Sequence, residues 1–301
     1  MSQIVAASPH VTTKNSTAVI MRDVLIALLP AVIAGCVVFG LRALLVVAVT
    51  TAACVFFEWG FEKLCGKPST ISDLSAAVSG VLLAYNLPVS IPLWQAVFGA
   101  LVAMVAVKGL FGGLGKNFAN PAIVARIVLF LAFSSSMTAW VYPDAVSSAT
   151  PLAMLAKGEH VDYLTLLLGR HGGCIGETCA LALLLGFAYL LIRQVVTWQT
   201  PVCFVGTVFL LSLILGQDAL AQVLSGGLLL GAIFMATDYS TSPCTAWGKV
   251  LLGIGAGLLT VLIRFYGAYA EGVSFAILFM NILTPYLTRW TRTKPLGGAK
   301  A

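Results

Sequence analysis

The chain has 301 residues, of which 59% are hydrophobic and only 9% are charged, and its mean hydropathy is +0.99. Roughly a quarter of the residues of an ordinary soluble domain are charged. The composition therefore excludes a soluble globular protein and indicates a membrane protein that crosses the bilayer several times. Lysine and arginine outnumber the acidic residues by 17 to 11, for a formal net charge of +6. No nucleic-acid-binding motif or basic run accompanies this excess, which is typical of the cytoplasmic loops of membrane proteins.

Apolar runs recur along the chain with the length of a helical span or half-span, and they show no period-two alternation. A full span needs about 20 apolar residues, and open strands cannot cross lipid, so we predict an all-α polytopic membrane protein with about ten transmembrane helices. The predicted spans cover residues 20–40, 43–62, 73–87, 92–109, 122–139, 176–195, 201–216, 218–235, 249–268 and 273–288. The predicted organisation is a tail (1–19), a five-helix half (20–139), a loop (140–175), a second five-helix half (176–288) and a tail (289–301).

Positive charge predicts the orientation of these spans, because cytoplasmic loops carry the excess of lysine and arginine. If the N-terminus is cytoplasmic, 13 of the 17 basic residues fall on the inner side. Only Arg42, Lys157, Arg170 and Arg264 then fall outside. We therefore expect both termini in the cytoplasm and the 140–175 loop outside. The polar first 19 residues lack the apolar core of a signal peptide, so the first apolar run is predicted to be a retained anchor.

A short string of residues recurs in the two predicted halves. Ser79–Leu83 reads SGVLL and Ser225–Leu229 reads SGGLL, each before a span end with polar residues and a proline. Five spans per half would give the halves opposite orientations, as in transporters built from inverted repeats. The alternative is that small-residue helix packing produces similar strings without duplication.

Ionisable residues inside a membrane are functional candidates because they are costly to bury. The candidates within or beside predicted spans are Glu58, Asp73, Arg126, Glu177 and Asp238. Each also lies near a predicted span end, where an interfacial charge needs no special role.

Two of these carboxylates are predicted candidates for an ion path. Asp73 and Asp238 lie at comparable positions beside the matched strings. The alternative is that both cap helices, since Asp73 follows Ser72 and Asp238 follows Thr237.

No metal site is predicted from the cysteines or histidines. The seven cysteines include no CxxC pair, and only Cys174 and Cys179 are spaced for a disulfide or a shared metal. Free thiols packed as small hydrophobic groups are the simpler interpretation. The histidines at positions 10, 160 and 171 lack the spacing of metal ligands.

The stretch DAVSSATPL at residues 144–152 is rich in small and hydroxyl residues. Such a stretch is typical of a turn or of a helix N-cap. Because an unencumbered hydroxyl in an external loop is accessible to another enzyme, the stretch is also a candidate for covalent modification.

The same stretch resembles the motif Asp-x-x-Ser-x-Ala-Thr, in which a threonine hydroxyl is esterified to the phosphate of FMN. Further blocks share the resemblance along nearly the whole chain. They are SDLSAAVSGVLLAYNLP at 72–88, KGLFGGLGKNFANPAIVAR at 108–126, GGCIGETCALALLLG at 172–186, SGGLLLGAIFMATDYSTSP at 225–243 and residues 248–281. Taken in order, these blocks resemble the D subunit of the Rnf complex, the ion-translocating ferredoxin:NAD oxidoreductase. That family is related to the B subunit of the sodium-pumping NADH:quinone reductase.

The resemblance implies that Thr150 carries FMN through a phosphoester bond. It also implies that a flavin transferase reads Asp144, Ser147 and Ala149. Ala145 and Ser148 stand where the commoner form of the motif has glycines. In the family this flavin faces the outer side, which agrees with the side predicted from positive charge.

Members of the family also hold a second, non-covalent flavin, usually riboflavin. Asn117 and Asn120, in the loop before Pro121, are the candidates for it, because amides can hydrogen-bond the ring edge or the ribityl hydroxyls. The alternative is that they cap the turn and the helix that follows.

The function that the resemblance implies is electron transport by a flavoprotein subunit of a translocase in the bacterial inner membrane. The chain would pass electrons between ferredoxin and NAD through covalent FMN, coupled to Na⁺ or H⁺ translocation, and would not be catalytic alone. Its expected partners are other subunits, the flavin transferase and lipid, with no nucleic acid. The alternative is a flavin-free secondary transporter or channel, which a yellow chromophore that survives denaturation would exclude.

Overall fold

The computed structural model describes residues 16–140, 150–159, 161–169, 171–267 and 272–292. Within these ranges the chain is helical and has no strand, apart from an isolated bridge between Pro88 and Cys174. The prediction of an all-α fold is therefore confirmed. Asp144, Ser147 and Ala149 lie outside the described residues.

The helices follow one another along the chain with short connections. They are α1 (Thr17–Phe39), α2 (Leu41–Leu64), α3 (Ser75–Tyr85), α4 (Leu93–Leu101), α5 (Pro121–Ala132), α6 (Ser134–Met137), α7 (Pro151–Ala156), α8 (Tyr163–Leu168), α9 (Ala180–Ile192), α10 (Gln199–Ile214), α11 (Ala219–Leu224), α12 (Leu228–Leu230), α13 (Ala246–Tyr266) and α14 (Val273–Trp290). Two helices continue with π-helical geometry, α4 over Val102–Gly109 and α12 over Gly231–Met235. A 3₁₀ turn, Ile71–Asp73, precedes α3.

Three of the described helices, α1, α2 and α13, are long and apolar enough to cross a membrane. Shorter apolar helices cover Ser75–Tyr85, Leu93–Gly109, Pro121–Ala132, Ala180–Ile192 and Gln199–Ile214. Each of the ten predicted spans contains helix, but many of these helices are shorter than the roughly 20 residues of a full crossing. A multi-pass membrane protein follows from these helices, whereas the count of ten crossings stays a prediction.

The short helices α3 and α12 both begin at a residue in the left-handed conformation. Leu74 has φ +63° before α3, and Gly227 has φ +66° before α12. A left-handed leucine is strained by roughly 1–2 kcal/mol, so the surrounding structure must hold it. The matched strings do not occupy equivalent positions, because Ser79–Leu83 lies inside α3 whereas Ser225–Leu229 straddles the start of α12.

Helix packing brings the two predicted halves together along two seams, α1 against α9 and α5 against α14. In the first seam a Cβ on Gly186 would lie 2.3 Å from the carbonyl oxygen of Ala27, so glycine allows the backbones to approach. Arg193 Nη2 also donates to the buried Asp23 Oδ2 at 3.0 Å. These contacts join residues distant in sequence into one hydrophobic core.

Residues 171–178 form an irregular, buried segment between α8 and α9. The backbone amides of Ile175 and Gly176 donate to the carbonyls of Leu87 and Tyr85, at 3.1 and 3.0 Å, at the C-terminal end of α3. A Cβ on Gly176 would come within 2.4 Å of the Tyr85 side chain, which explains the glycine. Irregular backbone is tolerated at membrane depth only where protein or a cavity surrounds it, and this segment is surrounded by protein.

Candidate functional site

Thr150, the predicted attachment residue, is the N-cap of α7. Its backbone is extended, and its Oγ1 accepts a hydrogen bond from the Ala153 amide at 3.3 Å. The residue is half-buried. The N-cap interpretation of the sequence is therefore right, and it is compatible with covalent attachment because the hydrogen bond uses a lone pair of the oxygen and leaves the O–H bond free to be replaced.

Helix α7 packs against the turn that precedes α12. A Cβ on Gly226 would lie 2.0 Å from Leu152 Cδ1, and Gly226 also has φ +66°. Arg264 holds the same turn, because its Nη2 donates to the carbonyls of Ser225 and Gly226 at 3.0 and 3.2 Å. Its Nη1 donates to the carbonyl of Gln222 at 2.7 Å. These contacts fix α7, whose N-cap is Thr150.

A cavity of about 380 Å³ opens beside α7. We call it the Arg264 cavity, and its lining consists of Leu152, Leu155, Ala156, Lys157, Gly158, Gln217, Gln222, Arg264 and Phe265. Its volume lies within the range of roughly 300–1,000 Å³ that is typical of ligand pockets.

A second cavity, which we call the Lys108 cavity, brings together the two asparagines predicted for a non-covalent flavin and one of the carboxylates predicted for an ion path. Asn117, Asn120 and Asp238 all line it, with Lys108 and Ser75. Its volume is about 70 Å³, which is room for a few water molecules. Asp73 is not in its lining but is connected to it, because Asp73 Oδ1 accepts a hydrogen bond from the Ser75 amide at 2.8 Å. Asp73 therefore holds the turn before α3, whose N-cap is Leu74.

The two asparagines have different surroundings. Asn120 is the N-cap of α5, since its Oδ1 accepts from the Ala122 amide at 3.0 Å, and its Nδ2 donates to the Met235 carbonyl at 3.4 Å. Asn117 is buried, and its Oδ1 has no partner within the described part of the chain. The capping interpretation is therefore right for Asn120, whereas Asn117 presents an unsatisfied acceptor to the Lys108 cavity.

Asp238 holds a turn and does not cap α13, whose N-cap is Thr245. Its carboxylate accepts from the Ser240 amide and hydroxyl, at 3.4 and 2.9 Å, and from the Thr241 hydroxyl at 3.2 Å. Although the residue as a whole is half-buried, desolvation raises the pKa of its carboxyl group above the ordinary value. The hydrogen bonds from Ser240 and Thr241 and the charge of Lys108 oppose that rise.

Lys108 forms a buried ion pair with Glu58, and its Nζ donates to Ser75 Oγ at 2.6 Å. Glu58 Oε2 has no partner among the residues described. Lys108 also lines a pocket of about 290 Å³ with Glu58, Glu62, Lys67 and Thr70 among others. Lys108 thus lines both the Lys108 cavity and this pocket. The sequence identified Glu58 as a candidate but did not identify Lys108, and their separation of 50 residues gave no signal for the pairing.

Arg126 and Glu177 form a second buried ion pair, at 3.2 Å. Arg126 Nη1 also donates to Asn86 Oδ1 and to Ser274 Oγ, both at 2.9 Å. The four residues are buried, and we call them the central network. The protein surrounds both charged residues, and their position near predicted span ends did not indicate that they pair with each other.

The central network contacts the start of α12. A Cβ on Gly227 would lie 2.5 Å from Glu177 Oε1, so the start of α12 contacts both the central network and, through Gly226, the wall of the Arg264 cavity. Near the C-terminal end of the π-helical continuation of α12, Phe234 and Asp238 line the Lys108 cavity.

The cysteines make separate contacts. Cys174 Sγ donates to the Asn86 carbonyl at 3.3 Å, and Cys179 Sγ donates to the Leu167 carbonyl at 3.5 Å. Within the described ranges, no group of three or more His, Cys, Asp or Glu side chains is arranged to hold a metal ion.

Comparison with known proteins gives a match along nearly the whole chain. A family model described as the NQR2, RnfD, RnfE family matches residues 4–297. The D subunit of the Na⁺-translocating ferredoxin:NAD⁺ oxidoreductase complex of Acetobacterium woodii is 46% identical over 304 residues, which is 98% of this chain and 96% of the relative. The D subunit of the proton-translocating complex of Clostridium ljungdahlii is 38% identical over 316 residues, covering 97% and 96%. The D subunit of an ion-translocating oxidoreductase complex of Halorhodospira halophila is 34% identical over 343 residues, covering 99% and 96%.

Proposed function

The chain belongs to the NQR2, RnfD, RnfE family, and from this premise we propose that it is the membrane subunit that carries FMN on Thr150 in an ion-translocating ferredoxin:NAD oxidoreductase complex. Its relatives are named as subunits of such complexes, so the chain acts as part of a complex. The ion is Na⁺ or H⁺, and the names of the Acetobacterium and Clostridium relatives differ on this point.

The observation that carries the proposal is the position of Thr150. It ends the motif DAVSSAT and caps a helix that is fixed against the start of α12. Bound FMN supplies one- and two-electron transfer, whereas the protein sets its position and its access to water. A residue fixed in this way holds the cofactor at a constant position, as electron transfer between fixed partners requires.

A denaturing gel tests the attachment. The chain is produced with its flavin transferase, and the fluorescence of its band is compared between wild type and Thr150→Ala. We expect fluorescence only in the wild type. Ser147 and Ser148 are unchanged in the variant, so a fluorescent Thr150→Ala band would show that another hydroxyl carries the flavin and would reject Thr150.

For the Lys108 cavity we propose a role in ion movement that involves Asp238. The lining contains a carboxylate, an ammonium group and the unsatisfied oxygen of Asn117, and ionisable groups that line a cavity of a membrane protein are typical of ion pathways. A non-covalent flavin is the second candidate occupant, favoured by the free acceptor of Asn117. At about 70 Å³, the cavity must widen to admit a flavin ring. Gly112, Gly113 and Gly115, all at positive φ, give the neighbouring loop the backbone freedom to do so.

We also propose that the two halves are related as inverted repeats in the bacterial inner membrane, with both termini in the cytoplasm. The support is the pattern of helix contacts, because α2 packs on α4 as α10 packs on α13, and α4 with its π-helical continuation packs on α5 as α13 packs on α14. The seams α1–α9 and α5–α14 pair equivalent helices of the two halves. This correspondence supports the duplication better than the matched sequence strings do.

A further inference from the structure

One lysine borders two cavities, and each of them contains a carboxylate. Lys108 lines the Lys108 cavity, whose lining includes Asp238, and it also lines the pocket of about 290 Å³ that includes Glu58. Lys108 is only 3% exposed, and an isolated charge is costly to bury. Its ammonium group therefore depends on the protein for a partner, and carboxylates lie in both directions.

The ammonium group of Lys108 lies at the boundary between the two cavities. It pairs with Glu58, which lines the pocket, and it donates at 2.6 Å to Ser75 Oγ, which lines the Lys108 cavity. Lysine carries its charge on a flexible four-carbon stem with three rotatable donors. Rotation of the side chain would therefore carry the charge from one cavity towards the other.

The carboxylate of Asp238 is open to a cation. It accepts hydrogen bonds from Ser240 and Thr241, and it makes no ion pair with the residues that the structure describes. A carboxylate has about four lone-pair sites, so a cation can bind without breaking the turn. The charge of Lys108 already acts on this carboxylate.

Glu58 can release its partner. Its Oε2 is buried and accepts no hydrogen bond from the described part of the chain, and the adjoining pocket has room for water at the freed carboxylate. Lys108 also lies in the π-helical segment Val102–Gly109. Such segments are rare and frequently occur at functional sites.

We propose that Lys108 is an exchangeable counter-ion that pairs alternately with Glu58 and with Asp238. While Lys108 is paired with Glu58, the carboxylate of Asp238 is open to the transported cation. When Lys108 moves to Asp238, it takes the place of that cation and releases it. This inference rests on the proposed role of Asp238 in ion movement. It makes Lys108 a positioning residue, because it acts on the ion through the carboxylate of Asp238.

The melting temperature of the full-length chain in detergent tests the exchange. Asp238→Asn is introduced into the wild type, into Glu58→Gln and into Glu62→Gln. Glu62→Gln is the matched control, because it neutralises another buried carboxylate of the same helix, one that accepts hydrogen bonds from Thr70. We expect Asp238→Asn to lower the melting temperature several-fold more in Glu58→Gln than in the other two, since only there does Lys108 lose both carboxylates.

A second measurement uses ion uptake by vesicles that contain the complex and are driven with reduced ferredoxin. In Glu58→Gln, Lys108 competes with the ion at Asp238. The Na⁺ or H⁺ concentration that gives half-maximal uptake should therefore rise several-fold, with flavin content unchanged.

Equal drops in melting temperature in the three backgrounds overturn the inference, as does an unchanged half-maximal concentration in Glu58→Gln. If Glu58→Gln does not fold, Glu58→Asp replaces it, because it keeps the charge but withdraws it from Lys108, and the same ordering is expected. Equal drops together with reduced uptake by Asp238→Asn overturn the exchange alone. Wild-type uptake by Asp238→Asn instead rejects the proposed role of Asp238 and the inference with it.

Discussion

The starts of α3 and α12 use the same structural arrangement for different chemistry. Each follows a left-handed residue, Leu74 or Gly227, and each is held by a cation from the end of a neighbouring helix. Lys108 pairs with the carboxylate of Glu58, whereas Arg264 holds the carbonyls of the turn itself. The first start faces a cavity of about 70 Å³ and the second a cavity of about 380 Å³.

The difference between the two starts is consistent with the two separate roles that we propose. An ion pair beside a small cavity, whose mainly apolar lining includes the carboxylate of Asp238, suits the movement of a small cation. The wider cavity, lined by polar and apolar groups alike, suits a larger ligand. The central network, with the Arg126–Glu177 pair, contacts the start of α12. Variants that act on one region alone can therefore separate the two roles.

The largest expected effect comes from removing Lys108. Lys108→Met leaves Glu58 buried without its counter-charge, and breaking a buried pair typically costs about 3–5 kcal/mol. The free energy of unfolding in detergent should fall by that order. Lys63→Met, at an exposed lysine of the same helix as Glu58, is the control. The double variant Lys108→Met/Glu58→Gln should recover much of the loss. A stable Lys108→Met single variant would show that the pair does not hold the start of α3.

The second-largest expected effect comes from a substitution at the start of α12. Gly226→Ala places a methyl group 2.0 Å from Leu152 at φ +66°, whereas Gly216→Ala meets nothing within 4 Å at φ +70°. The strained φ alone costs roughly 1–2 kcal/mol, so both variants lose that much and Gly226→Ala loses more. Only Gly226→Ala should displace α7 and reduce the flavin content of the chain. Equal flavin content in the two variants would show that the packing of Leu152 against Gly226 is not needed for attachment of the flavin.

Asp238 should matter for ion transport more than Asp73 does. Asn at either position can still accept the local hydrogen bonds, but only Asp238→Asn removes a charge from the lining of the Lys108 cavity. Ion uptake by vesicles driven with reduced ferredoxin should fall several-fold in Asp238→Asn, with flavin content unchanged. Wild-type uptake in both variants would leave turn formation and capping as the roles of these carboxylates.

The smallest effects distinguish Asn117 from Asn120. Asn120→Ala removes the cap of α5, which is typically worth about 0.5–2 kcal/mol. Asn117→Ala removes an acceptor that has no partner among the described residues, so stability should be unchanged within error. Thermal unfolding measures both. If the cavity binds a non-covalent flavin, Asn117→Ala should lower the flavin released on denaturation, and unchanged release would argue against that occupant.

Local features of the site were predictable from the sequence. Thr150 and Asn120 each precede a proline, and a residue with a polar side chain before proline is a strong signal of a helix start. The absence of alternation likewise predicted an all-helical fold. These signals act between residues that are close along the chain.

Features that depend on distant residues were not predictable. Glu58 and Lys108 are 50 residues apart, and Arg126 and Glu177 are 51 apart, so only the folded chain reveals the pairs. The left-handed conformation of Leu74 also has no local signal, because leucine rarely adopts it. Hydropathy does not detect a turn inside the bundle, which is why short helices lie where longer spans were predicted.

Attachment of FMN to Thr150 can be decided by the mass of the 144–152 segment in peptides from the chain produced with and without a flavin transferase. We predict an added flavin phosphate on Thr150 only when the transferase is present, and no adduct in Thr150→Ala. An unmodified segment in a complex that transfers electrons and moves ions at the wild-type rate would contradict the proposed role of this residue.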